Sequence, residues 1–176
     1  MAHKLTPFIT AEQIAERNRA LGQEITKSYA GGAPLVCICV LKGAFLFYSD
    51  IVRQIDRDIE VDFVRLASYG TATSRSEDIV FSKDLEIAIE GKDVLVIEDI
   101  VDTGHSMDFL LRVLRMRNPK SLKICALIDK HERREKKIQV DFAGFKLTEG
   151  FIVGYGLDYA ERYRELGGIY ELSTEA

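Results

Sequence analysis

Apolar residues recur along this chain in two rhythms, compact runs and helical spacings, and the alternation between them predicts the elements. Residues 35–41, 94–97 and 122–128 are short, nearly unbroken apolar runs rich in β-branched side chains. Runs of that kind suit strands buried on both faces of a parallel sheet. Residues 61–66 and 151–153 read as two further strands. Between them the period lengthens to helical spacing. Thr10 and Gln13 form a capping-box pattern with Ile9 and Ile14 placed as a hydrophobic staple, so a helix is expected from there to about Tyr29, where Gly31 to Pro34 ends it. A second is expected over residues 44–54, carrying Phe45, Leu46, Tyr48, Ile51 and Val52, and a third over residues 107–116. Strand, helix and strand in this order predict an α/β fold, a mostly parallel central sheet with right-handed crossovers.

The chemistry concentrates where the 94–97 strand ends. Glu98 and Asp99 follow it directly, then Ile100, Val101 and the turn Asp102-Thr103-Gly104-His105-Ser106. In a parallel sheet, ligands sit outside the carboxyl ends of the strands. The turn offers successive backbone N–H groups, two hydroxyls, a glycine allowing close approach and the positive end of the helix after it, which together make a phosphate cradle. Glu98 and Asp99 repel phosphate, so they suit a cation such as Mg²⁺ or a group with donor hydroxyls such as a ribose diol. Asp102 suits either an acid/base or the cap of the following helix.

Composition narrows the setting. At 176 residues the chain is expected to be one domain over residues 1–176, and its formal charge of −4 gives no general attraction to nucleic acid or to an anionic membrane. No apolar run approaches the ~20 residues that span a bilayer, and Met1 to Lys4 leads into Pro7 and a helix rather than a signal-peptide core. The three cysteines, Cys37, Cys39 and Cys125, fall inside predicted strands, so buried thiols are expected rather than a disulfide framework or a metal half-site. A cytoplasmic protein is therefore expected. The mixed run Arg133 to Lys137 has no interleaved aromatic residues and reads as a solvated loop rather than a nucleic-acid patch.

Two carboxylates, two spacers and Asp-Thr-Gly after a strand resemble the sugar-diphosphate motif of the type I phosphoribosyltransferases. Leu41-Lys42-Gly43, Ser68-Tyr69, Asp129-Lys130, and Phe151 to Tyr159 with Arg164 resemble the remaining blocks of the hypoxanthine-guanine phosphoribosyltransferases in their order, over roughly residues 5–170. The resemblance implies that fold, with a small hood and a flexible lid over about residues 68–82. It also implies transfer of a phosphoribosyl group from 5-phosphoribosyl 1-diphosphate to hypoxanthine or guanine, giving IMP or GMP and diphosphate, with Mg²⁺.

Roles follow from the same likeness. Residues Glu98 to Ser106 hold the phosphoribosyl group, the carboxylates through its hydroxyls or through Mg²⁺. Asp102 handles the N7 proton of the purine. Leu41, Lys42, Gly43 and Arg164 hold the diphosphate, with a Leu41–Lys42 peptide that can be cis; apart from the likeness, Arg164 reads as a surface ion-pair partner of Glu161 and Glu165 on a terminal helix. Ser68 and Tyr69 close the lid. Lys130, Phe151, Ile152 and Asp158 form the purine seat: an ammonium donates and does not accept, so Lys130 suits the oxygen of a 6-oxopurine, Phe151 stacks and Ile152 offers backbone. Asp158 joins Glu98 and Asp99 as a metal ligand. His105, where the family commonly has Lys or Asn, reads as a solvated or phosphate-contacting side chain. Tyr155 and Tyr159 read as packing. A homo-oligomer, dimer or tetramer, is expected. Rival readings are a xanthine-preferring transferase and a regulatory protein of the same fold, the latter disfavoured by the absence of a basic face or an added DNA-binding segment.

Overall fold

The computed structural model describes residues 3–29, 31, 33–69, 78–148 and 150–174, the side chains of residues 68, 69, 78 and 174 excepted. In chain order it contains β1 (His3–Ile9), α1 (Ala11–Ser28), β2 (Leu35–Leu41), α2 (Phe45–Val52), β3 (Ile59–Tyr69), β4 (Asp78–Lys83), β5 (Asp93–Val101), α3 (His105–Arg115), β6 (Ser121–Asp129), β7 (Phe142–Lys146), β8 (Ile152–Val153) and β9 (Ile169–Thr174). A six-stranded sheet has the order β4-β3-β2-β5-β6-β7 and is parallel except at the β3–β4 pair. The hood is a three-stranded antiparallel sheet of order β1-β9-β8.

The pleat explains how unbroken apolar runs serve two cores. On β2, Leu35, Cys37 and Cys39 face α1 and α2, while Val36, Ile38 and Val40 face α3. On β5, Leu95 and Ile97 take the first side and Val94 and Val96 the second. Met107, Leu110, Leu111 and Leu114 bury the apolar stripe of α3, as three- and four-residue steps require. All three cysteines are free and buried. Burial pushes the Cys37 and Cys39 thiols up to about 12, which leaves them protonated and inert.

Four corrections bear on the site. β5 runs four residues past the apolar stretch, through Glu98 and Asp99 to Val101, because its ladder with β6 continues to the Val101–Asp129 pair. The 151–153 run does not extend the parallel sheet: Ile152 and Val153 pair antiparallel with Glu171 and Tyr170 in the hood, since no crossover helix follows to return the chain in parallel. Residues 68–82 are partly strand, β3 ending at Tyr69 and β4 beginning at Asp78. The lid assigned to Ser68 and Tyr69 lies outside the described residues at 70–77 and at those two side chains. Strands β1, β4, β7 and β9 escaped the apolar pattern; β1 carries Pro7 and shifts register between Pro7 and Ile9, tolerable in a strand with one paired edge.

The junction between hood and body is the capping box. Ile9 ends β1, Thr10 Oγ1 accepts the Gln13 N–H at 3.3 Å, and Gln13 Oε1 accepts the Thr10 N–H at 2.8 Å, while Ile9 and Ile14 are both buried in the same core. Thr10→Ala is expected to lower stability by about 1 kcal/mol, the usual effect of losing a cap, seen as a lower urea midpoint at unchanged slope. An unchanged midpoint would leave the box without energetic weight.

Candidate active site

β2, β5 and β6 run parallel, so their carboxyl ends, at Leu41, Val101 and Asp129, open on one edge, and the hood chain from Gly150 onward closes over that edge. Between them lies a cavity of about 490 Å³ lined by Asp99, Asp102, Lys130, Phe151, Ile152 and Asp158 among others. A second cavity, about 130 Å³, is lined by Glu98 and by the turn from Asp102 to Ser106, and Ile100 and Asp102 border both. The expected sugar-phosphate and purine residues thus fall on two adjoining hollows.

Glycines set the spacing of these loops. A Cβ on Gly43 would lie 1.7 Å from Asp99 Oδ2, and a Cβ on Gly156 would lie 2.1 Å from Gly43 O. At Gly156 the obstacle is backbone and no side chain fits; at Gly43 a side chain would have to displace the Asp99 carboxylate. Gly156 also has φ of +99°, a conformation open to glycine at no steric penalty. The Leu41–Lys42 peptide before Gly43 is cis.

The carboxylates differ in environment. Asp99 N donates to Glu98 Oε1 at 2.9 Å. Burial, and then the facing charge of Asp99, push the Glu98 carboxyl well above the ordinary carboxylate range. Asp102 does not cap α3. The residue in that position is Gly104, with φ of +88° and no side-chain cap. Instead Asp102 Oδ2 lies 3.2 Å from Arg133 Nη1, and among the described residues its Oδ1 is buried without a hydrogen-bond partner. That oxygen is an acceptor with nothing to accept, on a residue that borders both cavities.

The charge run read as a solvated loop holds the turn in place, which corrects the reading of Arg134. Arg134 is a tenth exposed and pairs with Asp129 at 2.5 Å. Its Nε donates to Asp102 O at 2.9 Å, Nη2 to Val101 O at 3.1 Å, and Nη1 to Ile138 O at 2.8 Å. The Glu135 and Lys136 amides donate to Thr103 O at 3.0 and 3.2 Å. His105 Nε2 lies 2.7 Å from Glu135 Oε2 across the mouth of the turn. The signal for Arg134 was weak: a carboxylate five residues earlier at a strand end.

On the larger cavity, Lys130 is buried, and its Nζ donates to Gly150 O at 2.7 Å. Phe151 is half exposed at the cavity, its ring edge-on to Tyr159 with centroids 5.6 Å apart. Tyr155 does more than pack: its hydroxyl donates to Asp50 at 2.6 Å and accepts from Asn18 at 2.9 Å, tying the hood to α1 and α2. Arg164 sits in an irregular turn, not on a helix, because Ala160, Glu161 and Tyr163 all have positive φ. It donates to Gly156 O at 2.7 Å and pairs with Asp158 at 2.8 Å and, as the charge spacing suggests, Glu161 at 3.3 Å; the pairing of Glu161 with Lys42 at 3.0 Å was unforeseen. Among the described residues, no three His, Cys, Asp or Glu side chains are gathered closely enough to hold a metal unaided.

Comparison with known proteins matches this geometry. A family model described as "Phosphoribosyl transferase domain" matches residues 9–160. The hypoxanthine phosphoribosyltransferase of Escherichia coli (strain K12) is 42% identical over 167 residues, 94% of each chain. The hypoxanthine-guanine phosphoribosyltransferase of Bacillus subtilis (strain 168) is 45% identical over 159 residues, 90% of this chain and 88% of that one. A solved hypoxanthine-guanine phosphoribosyltransferase from Bacillus anthracis superposes with a TM-score of 0.90 at 39% identity, covering 96% of this chain and 99% of that one.

Replacing Arg134 by Met keeps most of its volume and leaves Asp129 buried without a counter-charge. A loss of about 3–5 kcal/mol is expected, the usual consequence of removing one partner of a buried pair, measured by urea denaturation. A loss below about 1 kcal/mol would reduce Arg134 to a surface residue.

Proposed function

This chain belongs to the phosphoribosyl transferase family, and we propose that it makes IMP or GMP and diphosphate from hypoxanthine or guanine and 5-phosphoribosyl 1-diphosphate, in purine salvage. The observation that carries this reading is the single cavity on which Lys130, Phe151 and Asp102 converge beside the Asp102–Ser106 turn. Its volume is in the range of small-molecule sites.

Lys130 donates to the purine 6-oxygen. An ammonium has three donors, so it keeps its bond to Gly150 O while doing so. Phe151 stacks on the ring and Ile152 offers backbone contacts, which fixes the purine with N9 toward the sugar. The backbone of Asp102 to Ser106 and the N-terminus of α3 hold the 5-phosphate, and Glu98 and Asp99 receive the ribose hydroxyls. The raised pKa of Glu98 supports that role, because a carboxyl buried there gains from any donor or cation brought to it.

N9 attacks C1 of the sugar as the C1–O bond to diphosphate breaks, in an oxocarbenium-like transition state. The carboxylate of Asp102, which lines the cavity, takes the proton that leaves N7. Lys42 and Arg164 neutralise the departing diphosphate, and the hood keeps water from the activated sugar. Asp99 and Asp158, both on the cavity, fit Mg²⁺, which binds through one or two carboxylates with substrate oxygens and water making up the rest. When bound, it would offset diphosphate charge. We further propose one domain over residues 1–176, a cytoplasmic setting supported by the buried free thiols, and a homo-oligomer, dimer or tetramer. Among the described residues no helix is long and apolar enough to cross a membrane.

Ultraviolet-monitored turnover with the activated sugar and Mg²⁺ tests the whole reading. Hypoxanthine and guanine should be used well and adenine poorly. Preference for xanthine, or no turnover of any purine, would favour one of the rival readings and overturn this one. Asp102→Asn should lower kcat about 10²-fold or more while sugar-diphosphate binding stays within about several-fold. Near-normal turnover would remove Asp102 from the chemistry. Lys130→Ala should weaken 6-oxopurine use by roughly 2–3 kcal/mol, as deletion of a charge-assisted contact does; an equal loss for a purine without the 6-oxygen would exclude it from recognition.

A further inference from the structure

The cations assigned to diphosphate are already engaged. Glu161 Oε2 lies 3.0 Å from Lys42 Nζ and 3.3 Å from Arg164 Nη2, and Arg164 lies 2.8 Å from Asp158 Oδ1. Two cations face two carboxylates, so the set is neutral before any anion arrives. The carboxylates are not equivalent. Asp158 lines the cavity and its side chain is 29% exposed, whereas the Glu161 side chain is 64% exposed and stands on a turn of its own.

That turn is costly to form. Tyr159 N donates to Arg162 O at 3.2 Å and Arg162 N to Tyr159 O at 3.1 Å, which makes Ala160 and Glu161 the two central residues of a tight hairpin turn. Both are left-handed, with φ of 51° and 63°. Asn and Gly are the residues that accept this geometry readily, and Ala or Glu there carries backbone strain. Asp158 Oδ2 accepts the Glu161 N–H at 2.9 Å and so steadies the strained residue with its carboxylate against both cations. The Lys42 hydrogen bond, and next that of Arg164, hold the Glu161 carboxyl below its ordinary range, so it is ionised at neutral pH.

We propose that Glu161 is a tethered stand-in for diphosphate, a carboxylate that occupies the Lys42–Arg164 seat in the free protein, is displaced by the incoming diphosphate, and limits how tightly that group is held. The inference rests on the assignment of Lys42 and Arg164 to diphosphate. Its physics is competition. Exposed ion pairs are weak, so a polyanion that meets both cations at once displaces a single carboxylate, yet the negative charge stays nearby on its tether and opposes retention. Where product release sets turnover, such a residue favours departure of diphosphate.

Calorimetry of inorganic diphosphate binding to the full chain, with and without Mg²⁺, tests this. Glu161→Gln should bind diphosphate about three- to tenfold more tightly, the scale set by one or two exposed pairs, and stopped-flow competition should show slower release. Lys42→Ala should loosen binding. Replacing Ala160 and Glu161 together by Asn and Gly relieves the strained turn, so its melting temperature should rise while it shows the same tightening, which ties the effect to the carboxylate rather than to the shape of the loop. Unchanged or weaker diphosphate binding by Glu161→Gln, with Lys42→Ala still loosened, would overturn the stand-in role alone. No effect of Lys42→Ala would overturn the seat itself. Tightening in Glu161→Gln but not in the Asn-Gly variant would also overturn the charge account.

Discussion

The Asp99 carboxylate, Gly43 and Gly156 form a close stack, and the arrangement of the site depends on it. The carboxylate of Asp99 rests where the Cβ of residue 43 would be, and the carbonyl of Gly43 blocks the Cβ of residue 156. Three segments distant in sequence thereby meet: the turn after β2 and the hood chain at backbone contact, and the end of β5 through the Asp99 carboxylate. Because Asp158 and Arg164 follow Gly156 by two and eight residues, and Lys42 precedes Gly43, the same stack brings the cations Lys42 and Arg164 beside the carboxylates. Packing this tight yields little to a change of even one methyl group, so the spacing of the charged groups is inherited from the glycines.

Electrostatics then divides the site into settled and unsettled parts. Asp129 and Arg134 are paired deep under the Asp102 turn, with the guanidinium also bonded to three carbonyls. Such a satisfied network fixes position. Glu98, pushed upward by burial and by Asp99, and Asp102, with one oxygen unpartnered among the described residues, are the opposite case. Polar groups left unsatisfied in a native fold call for an explanation, and a ligand is the common one. Stability is thus invested in the loop that carries Asp102, while the Glu98 and Asp102 carboxyls on the cavity walls are left short of partners.

Much of this was legible in the chain. The apolar runs at 35–41, 94–97 and 122–128 found the central strands because a strand buried on both faces has no polar positions to blur it. Thr10 and Gln13 located the first helix to the residue, since a cap is a local interaction. The Glu98 to Ser106 stretch marked the place of a cavity, because a strand end, a glycine turn and a helix start are contiguous. The strands β1, β4, β7 and β9 were not legible: they take their stability from partners elsewhere, and β1 even includes Pro7.

Residue types and local order, then, were enough to identify the family, the parallel sheet and the turn that lines the smaller cavity, because each rests on interactions between residues close in sequence or on periodicity within one element. The assembly of the hood, the burial of Arg134 in what reads as a solvated charge run, and the contact of Glu161 with Lys42 emerged only once the chain was folded. Lys42 and Glu161 are 119 residues apart, and Arg134 reaches back 32 residues to the Asp102 carbonyl. A charged side chain looks the same in sequence whether it meets water or a backbone carbonyl across the fold, and only long-range packing determines which it meets.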